Sequence, residues 1–386
     1  MKILYAGVYN EYLNPTERNY LIMMKNLNAT FYGPGFTNED TLENGINHFI
    51  EANGGYDFII TTTFSFEDHF FENFEKSINE HTRYRYTYFP KEQLKYIKTI
   101  KESILKLVNT KIIYIIGFDP YSIKKDFFNI LKRENIYTIL LGKQFISSNN
   151  AIQEKEKFSN EINDNYYNFI NEYDHKIISF YHIIGENEFK YNVLVNRKYD
   201  ISVMGVLYTK RKHALKELQR SELTLPSRFY TYVYSLLNKA GLKPFSSIIT
   251  LYLYNIFFQY YLFNSKISYT SGSELKIPVR KFFEIPAHGT LLLAVPCNGF
   301  KCLGFKKDIN YIEISPNDNL IEVVKNLLRD NKKIQNIADN GQDLIFKNHT
   351  TTARSQQLNM CLKAIMSNSY HGSYWENGKF KVRLEN

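Results

Sequence analysis

The feature that most constrains the fold of this chain is a repeated alternation of short apolar segments with longer amphipathic ones. In the first half, runs that are apolar throughout and of strand length are separated by segments with helical periodicity. Strands without a polar face are typical of a parallel sheet covered by helices on both sides. The predicted strands are Lys2–Gly7, Thr30–Tyr32, Asp57–Thr62, Lys111–Ile116, Tyr137–Leu141 and Lys176–Phe180. The pattern therefore predicts a Rossmann-like α/β domain.

The helical segments between these strands complete the pattern, which starts again near residue 200. In the first half they are Glu17–Leu27, Leu42–Ala52, Lys91–Val108, Ser122–Arg133 and Glu154–Glu172. The second half has predicted strands at Asp200–Gly205, Ile267–Thr270, Thr290–Ala294 and Tyr311–Ile314, and predicted helices starting at Thr209, Pro226, Pro278, Asn319, Lys332 and Thr350. The polar segment Gly185–Lys198 lacks periodicity and marks the domain boundary. We expect Rossmann-like domains over 1–190 and 191–365 and an extension over 366–386.

Length and charge agree with two domains and an anionic ligand. A chain of 386 residues is too long for one ordinary core. Its formal net charge of +9 favours anionic partners such as nucleotide diphosphates or membrane surfaces. Because the charge is spread along the chain, we expect no nucleic-acid partner. The three cysteines argue against a disulfide framework and favour a reducing compartment.

One stretch has the apolar character of a membrane segment. No charged residue lies between Lys243 and Lys266, but Asn255 and Gln259 interrupt the run. A buried helix that continues into a strand fits this composition better than a membrane span. The N-terminus lacks the features of a signal peptide, so we expect a cytoplasmic protein. The aromatic and basic segment Arg83–Phe89 is either a surface hairpin or a peripheral contact with the inner face of the membrane.

The turn after the strand Asp200–Gly205 is the first candidate phosphate site. The helix predicted to start at Thr209 carries Lys210, Arg211 and Lys212 in its first turns. Cations there oppose the helix dipole by roughly a few tenths of a kcal/mol each, a penalty that a bound phosphate removes. A solvated basic helix face is the alternative. No Asp-x-Asp sequence occurs in the chain, so we expect a diphosphate to be held without a divalent metal.

The second candidate site is the loop and predicted helix that follow Ser271. Pro278 suits the first turn of a helix, where its missing N–H costs little. Lys276, Arg280 and Glu284 are spaced so that a helix would place them on one face. The alternative for Arg280 and Glu284 is a surface ion pair worth at most about 0.5 kcal/mol.

Short motifs in the second half occur in the order found in a known family. The matching residues are Tyr199–Gly205, Tyr208, Arg211, Arg280, Phe283, Glu284, Ala287–Gly289, Ile337–Gly341, His349, Thr350 and Arg354. In this order they resemble the CgeB/YkvP-like group of GT-B glycosyltransferases. The first half resembles that group only in its alternating pattern and its opening strand.

The resemblance implies a GT-B architecture, in which two Rossmann-like domains enclose a donor cleft, with a C-terminal helical extension. It implies a metal-independent enzyme that moves a sugar from a UDP- or GDP-linked donor to a glycan, glycolipid or glycoprotein acceptor. Bacterial surface polysaccharide assembly is the implied setting, and no further cofactor is implied. The alternative is a non-catalytic glycan-binding or coat protein on a degenerate GT-B fold.

The resemblance also assigns residues to the donor. Glu284 would accept hydrogen bonds from the donor ribose, and Arg211 with Lys212 would lie on the diphosphate. Lys276 stands where related enzymes keep a second acid, which leaves the sugar and the stereochemistry open. His288 would bind a phosphate or cap its helix. The full predicted donor-binding set is Gly205, Tyr208, Arg211, Lys212, Lys276, Arg280, Glu284 and His288.

Two residues are candidates for the catalytic base. An inverting transferase needs a carboxylate or an imidazole near the acceptor hydroxyl. Asp119 and His182 each follow a predicted strand at its carboxyl end, where the sites of α/β proteins gather. Asp119 could instead cap a helix that starts at Pro120, and His182 could be a linker residue. Thr350, next to His349, is expected to cap the last helix.

Overall fold

A computed structural model of the chain contains two parallel sheets joined by a linker. It describes residues 1–9, 15–62, 94–116, 129–141, 170–205, 209–227, 236, 248–272 and 278–385. Within these ranges, one sheet has six strands, a second has four and a hairpin has two. The expected α/β class with two parallel sheets is confirmed.

The first sheet is built from the strands that the apolar runs predicted. Its strands are β1 (Ile3–Ala6), β2 (Thr30–Tyr32), β3 (Phe58–Thr62), β4 (Lys111–Ile116), β5 (Ile136–Leu141) and β6 (Ile177–Phe180). Neighbours pair in parallel in the order β2-β1-β3-β4-β5-β6. Successive side chains on a strand point to opposite faces. Ile59 and Ile112 therefore lie in one core cluster, and Ile60 and Ile113 lie in the other.

Four helices of the described residues flank this sheet in the first half. They are α1 (Pro15–Asn26), α2 (Glu39–Glu43), α3 (Gly45–Ala52) and α4 (Leu94–Lys106). The single helix predicted over Leu42–Ala52 is wrong, because Gly45 adopts a φ of +80° and breaks it in two. The helices predicted at Ser122–Arg133 and Glu154–Glu172 lie largely outside the described residues.

The second sheet follows the linker. Its strands are β7 (Tyr199–Ser202), β8 (Ser265–Thr270), β9 (Leu291–Ala294) and β10 (Ile312–Glu313), parallel in the order β10-β9-β8-β7. Its helices within the described ranges are α5 (Thr209–Leu218), α6 (Ile248–Phe263), α7 (Lys281–Ala287), α8 (Leu320–Leu328) and α9 (Asn331–His349). The helix expected at Pro278 begins only at Lys281. Helix α9 begins at Asn331, one residue before the predicted Lys332, and Asp330 caps it by accepting a hydrogen bond from the Lys333 amide at 2.9 Å.

The uncharged stretch forms the helix α6, which runs into β8 as predicted. One side of this helix is exposed at Tyr252, Ile256 and Tyr260, so burial is partial. Across the part of the chain that the structure describes, no helix is long and apolar enough to span a membrane. The proposed lipid-contacting segment Arg83–Phe89, like most of the helix predicted from Pro226, falls outside the described residues.

The end of the chain returns to the first sheet. Helix α10 (Thr351–Met366) is capped as predicted by Thr350, whose hydroxyl accepts from the Ala353 amide at 3.3 Å. Its residues Leu358 and Leu362 share a core cluster with α1. The extension was expected to be helical, but beyond Met366 it is an antiparallel hairpin of β11 (Tyr370–Glu376) and β12 (Lys379–Leu384). Its turn forms at Asn377 and Gly378, a pair that favours φ > 0.

Candidate active site

The centre of the candidate site is Glu284, a buried carboxylate in the first turns of α7. Only 5% of its surface is exposed. The Arg280 Nε donates to its Oε1 at 2.6 Å, and the Lys281 ammonium donates to its Oε2. Each oxygen retains capacity to accept one further hydrogen bond. The pair expected between Arg280 and Glu284 therefore exists, but it is buried and includes a second cation.

These two cations decide the ionisation of Glu284. Burial alone would raise the pKa of Glu284, but the charges and hydrogen bonds of Lys281 and Arg280 lower the pKa to about 2. The carboxylate is therefore charged at neutral pH. A charged, buried acceptor is suited to bind hydroxyl groups that carry no charge of their own.

Arg280 is held by more than Glu284. Its Nη2 donates to the Glu188 carboxylate at 2.5 Å, and its Nη1 donates to the Ile183 carbonyl at 2.5 Å. Glu188 and Ile183 lie in the linker between the sheets. Each of the three guanidinium nitrogens donates a hydrogen bond, and Arg280 thereby connects α7 to the linker.

Lys281 was missed by the motif reasoning, although it lies only three positions before Glu284. Its ammonium lies 4.1 Å from the centre of the Phe258 ring. Its stem passes Gly205, where a Cβ would lie 2.6 Å from the lysine Cε and 3.4 Å from the Arg211 Nη1. Gly205 has a φ of +88°, a conformation that favours glycine. Gly205, Arg211, Lys281 and Glu284 thus come together at the carboxyl end of β7.

The other predicted donor residues fall into separate positions. Arg211 is 2% exposed and donates to the Met204 carbonyl at 3.5 Å, whereas Lys212 is exposed on α5. His288 is 1% exposed at the C-terminal end of α7, where its Nδ1 lies 2.8 Å from the Glu284 carbonyl oxygen. Of the two alternatives for His288, phosphate binding and helix capping, this position corresponds to helix capping. Tyr208, Lys276 and the base candidate Asp119 lie outside the described residues.

His182, the second base candidate, lies beside the site in the crossing from β6 to the linker. Its ring is 5.9 Å from that of Phe283, which adjoins Glu284 in α7. Burial, followed by repulsion from Arg280, lowers the pKa of His182 to about 3. The imidazole is therefore neutral in the free protein. Its Nδ1 has no hydrogen-bond partner among the described residues.

The described residues contain no group of three or more His, Cys, Asp and Glu side chains placed to hold a metal ion. The charges that meet at the site are those of Arg211, Arg280, Lys281 and Glu284.

The buried histidines predict a loss of stability in mild acid. Burial lowers the pKa values of His182, His288 and His349 below the usual 6.5. Their contribution to the free energy of unfolding is complete above pH 6.5. It is lost as the pH falls below 6.5, because the unfolded chain takes up protons there and the folded chain does not. A histidine whose pKa lies well below 6.5, such as His182, should contribute a slope that approaches about 1.4 kcal/mol per pH unit. Urea unfolding between pH 7.5 and 4.5 measures it.

A matched pair of variants isolates one of these contributions. His182→Gln should reduce the slope below pH 6.5, whereas His213→Gln, on the exposed face of α5, should leave it unchanged. Equal stability of the wild-type chain at pH 7 and pH 5 would contradict the assignment.

Comparisons with known proteins agree with this fold. Residues 254–359, which include Arg280 and Glu284, match the sequence model of a family described as "Glycosyl transferase-like". HepE of Anabaena in complex with UDP superposes with a TM-score of 0.52 at 13% identity, covering 94% of this chain and 100% of that chain. Its complex with UDP-glucose gives 0.50 at 12%, covering 94% and 99%. No curated protein sequence matches the chain.

The fold is therefore that of the GT-B glycosyltransferases, as predicted. The chain is similar to the family described as "Glycosyl transferase-like" over residues 254–359. The narrower CgeB/YkvP assignment stays a prediction.

Proposed function

We propose that the chain is a glycosyltransferase whose donor is a nucleoside diphosphate sugar. The observation that carries the proposal is the buried Glu284 carboxylate, held between two cations beside the Gly205 turn and Arg211. The arrangement offers a charged acceptor next to concentrated positive charge. A nucleoside diphosphate has hydroxyl donors on its ribose next to an anionic diphosphate, which is the complementary pattern.

Each part of the donor has a counterpart in this arrangement. The ribose hydroxyls donate to the free acceptor capacity of Glu284. The diphosphate lies at the Gly205 turn, where Arg211 and Lys281 neutralise it in place of a divalent metal. Positive charge at this point also stabilises the nucleoside diphosphate as it leaves. Arg280 keeps Glu284 in place and does not contact the phosphates.

The acceptor side is assigned to the first domain. We propose a glycan, glycolipid or glycoprotein acceptor in surface polysaccharide assembly, with His182 as the base. A pKa of about 3 makes His182 a weak base in the free protein. A bound diphosphate adds negative charge nearby and raises the pKa of His182 toward neutrality. The bound donor thereby activates the base that deprotonates the acceptor hydroxyl.

The donor proposal predicts selective stabilisation by one nucleotide. Among UDP, GDP, CDP and dTDP, the product of the true donor should raise the free energy of unfolding by about 2.7 kcal/mol at a hundredfold excess over its Kd. Arg211→Gln and Lys281→Gln should each weaken that binding by about 10- to 100-fold, since each removes a charged contact to phosphate. Thermal shift and isothermal titration measure these effects.

The control is Lys216→Gln, an exposed cation on the same helix as Arg211, which should bind like the wild-type chain. If no nucleotide stabilises the protein at millimolar concentration, the proposed function is wrong. Binding of a glycan without turnover of any nucleotide sugar would favour the non-catalytic alternative.

A further inference from the structure

The linker carboxylate of Glu188 connects three parts of the molecule. It belongs to a short 3₁₀ turn, Glu186–Glu188, and is 8% exposed. Its Oε1 accepts from the Gly185 amide at 2.8 Å and from the Asn19 side chain at 2.9 Å. Its Oε2 accepts from the Arg280 Nη2 at 2.5 Å. Glu188 therefore joins α1 of the first domain, the linker and α7 of the second.

The connection continues to the candidate donor site. Arg280, which Glu188 holds through Nη2, holds Glu284 through Nε. Asn19 makes a second hydrogen bond to the linker, because its side chain also donates to the Ile183 carbonyl at 2.9 Å. Ile183 in turn accepts from Arg280. An unbroken series of hydrogen bonds thus runs from α1 to the carboxylate assigned to the ribose.

The charge of Glu188 affects the hydrogen bonds that Arg280 makes to Glu284. Arg280 donates from Nη2 to Glu188 and from Nε to Glu284, so it occupies only one oxygen of Glu284. Without the second carboxylate, a guanidinium favours a bidentate pair with the first. That pair would occupy both Glu284 oxygens and compete with ribose hydroxyls for them. Glu188 therefore preserves the capacity of Glu284 to accept hydrogen bonds, although the two carboxylates do not contact each other.

We propose that Glu188 is a positioning residue for the donor. By holding the Arg280 guanidinium toward the linker, it leaves the Glu284 oxygens able to accept hydrogen bonds from the ribose. Because Glu188 also accepts from Asn19, this geometry depends on the position of α1. The inference rests on the proposed function, because it assumes that Glu284 receives the donor ribose. It extends that function by making donor affinity depend on a contact between the two domains.

The experiment compares two acids in the same turn. In Glu188→Gln the amide oxygen can still accept from Gly185 and Asn19, which leaves the NH₂ group facing Arg280 and breaks only that link. The control is Glu186→Gln, because Glu186 instead accepts from the Thr351 hydroxyl and from the Thr352 amide at 2.8 Å. The affinities of the wild-type and variant chains for UDP, GDP, CDP and dTDP are measured by isothermal titration, alongside their thermal midpoints.

Glu188→Gln should weaken binding of the nucleotide that the wild-type chain selects by about tenfold, while Glu186→Gln changes it less than twofold. A double-mutant cycle with Glu284→Gln then separates positioning from general loosening of the linker. In the Glu284→Gln background, Glu188→Gln should change affinity by less than about twofold, since its target is gone.

Three results would overturn the inference while leaving the proposed function standing: unchanged affinity in Glu188→Gln, an equal loss in Glu186→Gln, or additive losses in the cycle. A wild-type chain that binds none of UDP, GDP, CDP and dTDP would instead remove the proposed function and this inference with it.

Discussion

Replacing Glu284 by alanine should destabilise the folded chain by about 3–5 kcal/mol and remove nucleotide binding. In the variant, the buried Lys281 loses the Glu284 carboxylate as its ion-pair partner. Arg280 loses the same partner and keeps its ion pair with Glu188. Uncompensated positive charge in a dry environment costs more than the lost ion pair contributed. Because the same carboxylate is assigned to the ribose, stability and binding should fall together.

The isosteric variant separates these two effects. Glu284→Gln keeps the size of the side chain and one acceptor oxygen, so it should fold better than the alanine variant while binding UDP or GDP at least tenfold more weakly than the wild-type chain. Urea unfolding gives the free energy, and titration gives the affinity. Full nucleotide binding by a folded Glu284→Gln protein would contradict the role given to this residue.

Replacing Trp375 by alanine should cost about 3–5 kcal/mol of stability, although it lies only a short distance from the end of the chain. Its indole is 2% exposed and stacks on His349 with ring centres 4.9 Å apart. Its Nε1 donates to the Ser179 carbonyl at 2.9 Å, on the edge strand β6. It also covers the Arg354 guanidinium, whose carbon lies 4.6 Å from the ring centre.

The Arg354 contact gives a second reason to expect a large loss. Arg354 is fully buried, and its hydrogen-bond partners among the described residues are the Asn348 carbonyl, the Gln357 amide and His349, with no carboxylate. The indole face supplies attraction that a carboxylate would otherwise provide.

Two further variants test that account. Trp375→Phe keeps a ring but leaves the Ser179 carbonyl without its donor, at a cost of about 1–3 kcal/mol. Glu376→Ala, exposed on the same strand, should change stability by less than about 0.5 kcal/mol. Equal stabilities of the wild-type and Trp375→Ala proteins would show that the hairpin does not support the fold.

The first sheet shows what local pattern alone can predict. Its strands are mostly apolar because both faces are covered, and each lies within a residue of its predicted bounds. Where prediction was wrong, a local backbone feature decided the outcome. Gly45 divides a predicted helix, and α7 begins at Lys281 rather than at Pro278. The hairpin after Met366 depends on packing against β6, which residue periodicity cannot anticipate.

The candidate site divides in the same way. Gly205, Arg211, Arg280 and Glu284 were found from spacing and from the family resemblance, because they lie in short motifs next to strand ends. Their placement together is a result of the fold, and their functional roles stay predictions. Lys281 was recognised only from the structure, through its hydrogen bond to Glu284 and its approach to Gly205, which lies far away in the sequence.

By itself, then, the sequence determined the two parallel sheets and the position of an acid and several cations along the chain. Hydrophobic periodicity is local, and it is enforced wherever a strand or helix must bury one face. Only the tertiary structure decided that Glu284 is buried between Arg280 and Lys281, and that Arg280 turns toward Glu188. The ionisation and availability of a buried carboxylate depend on which charges surround it in space, and those charges come from two separate parts of the chain.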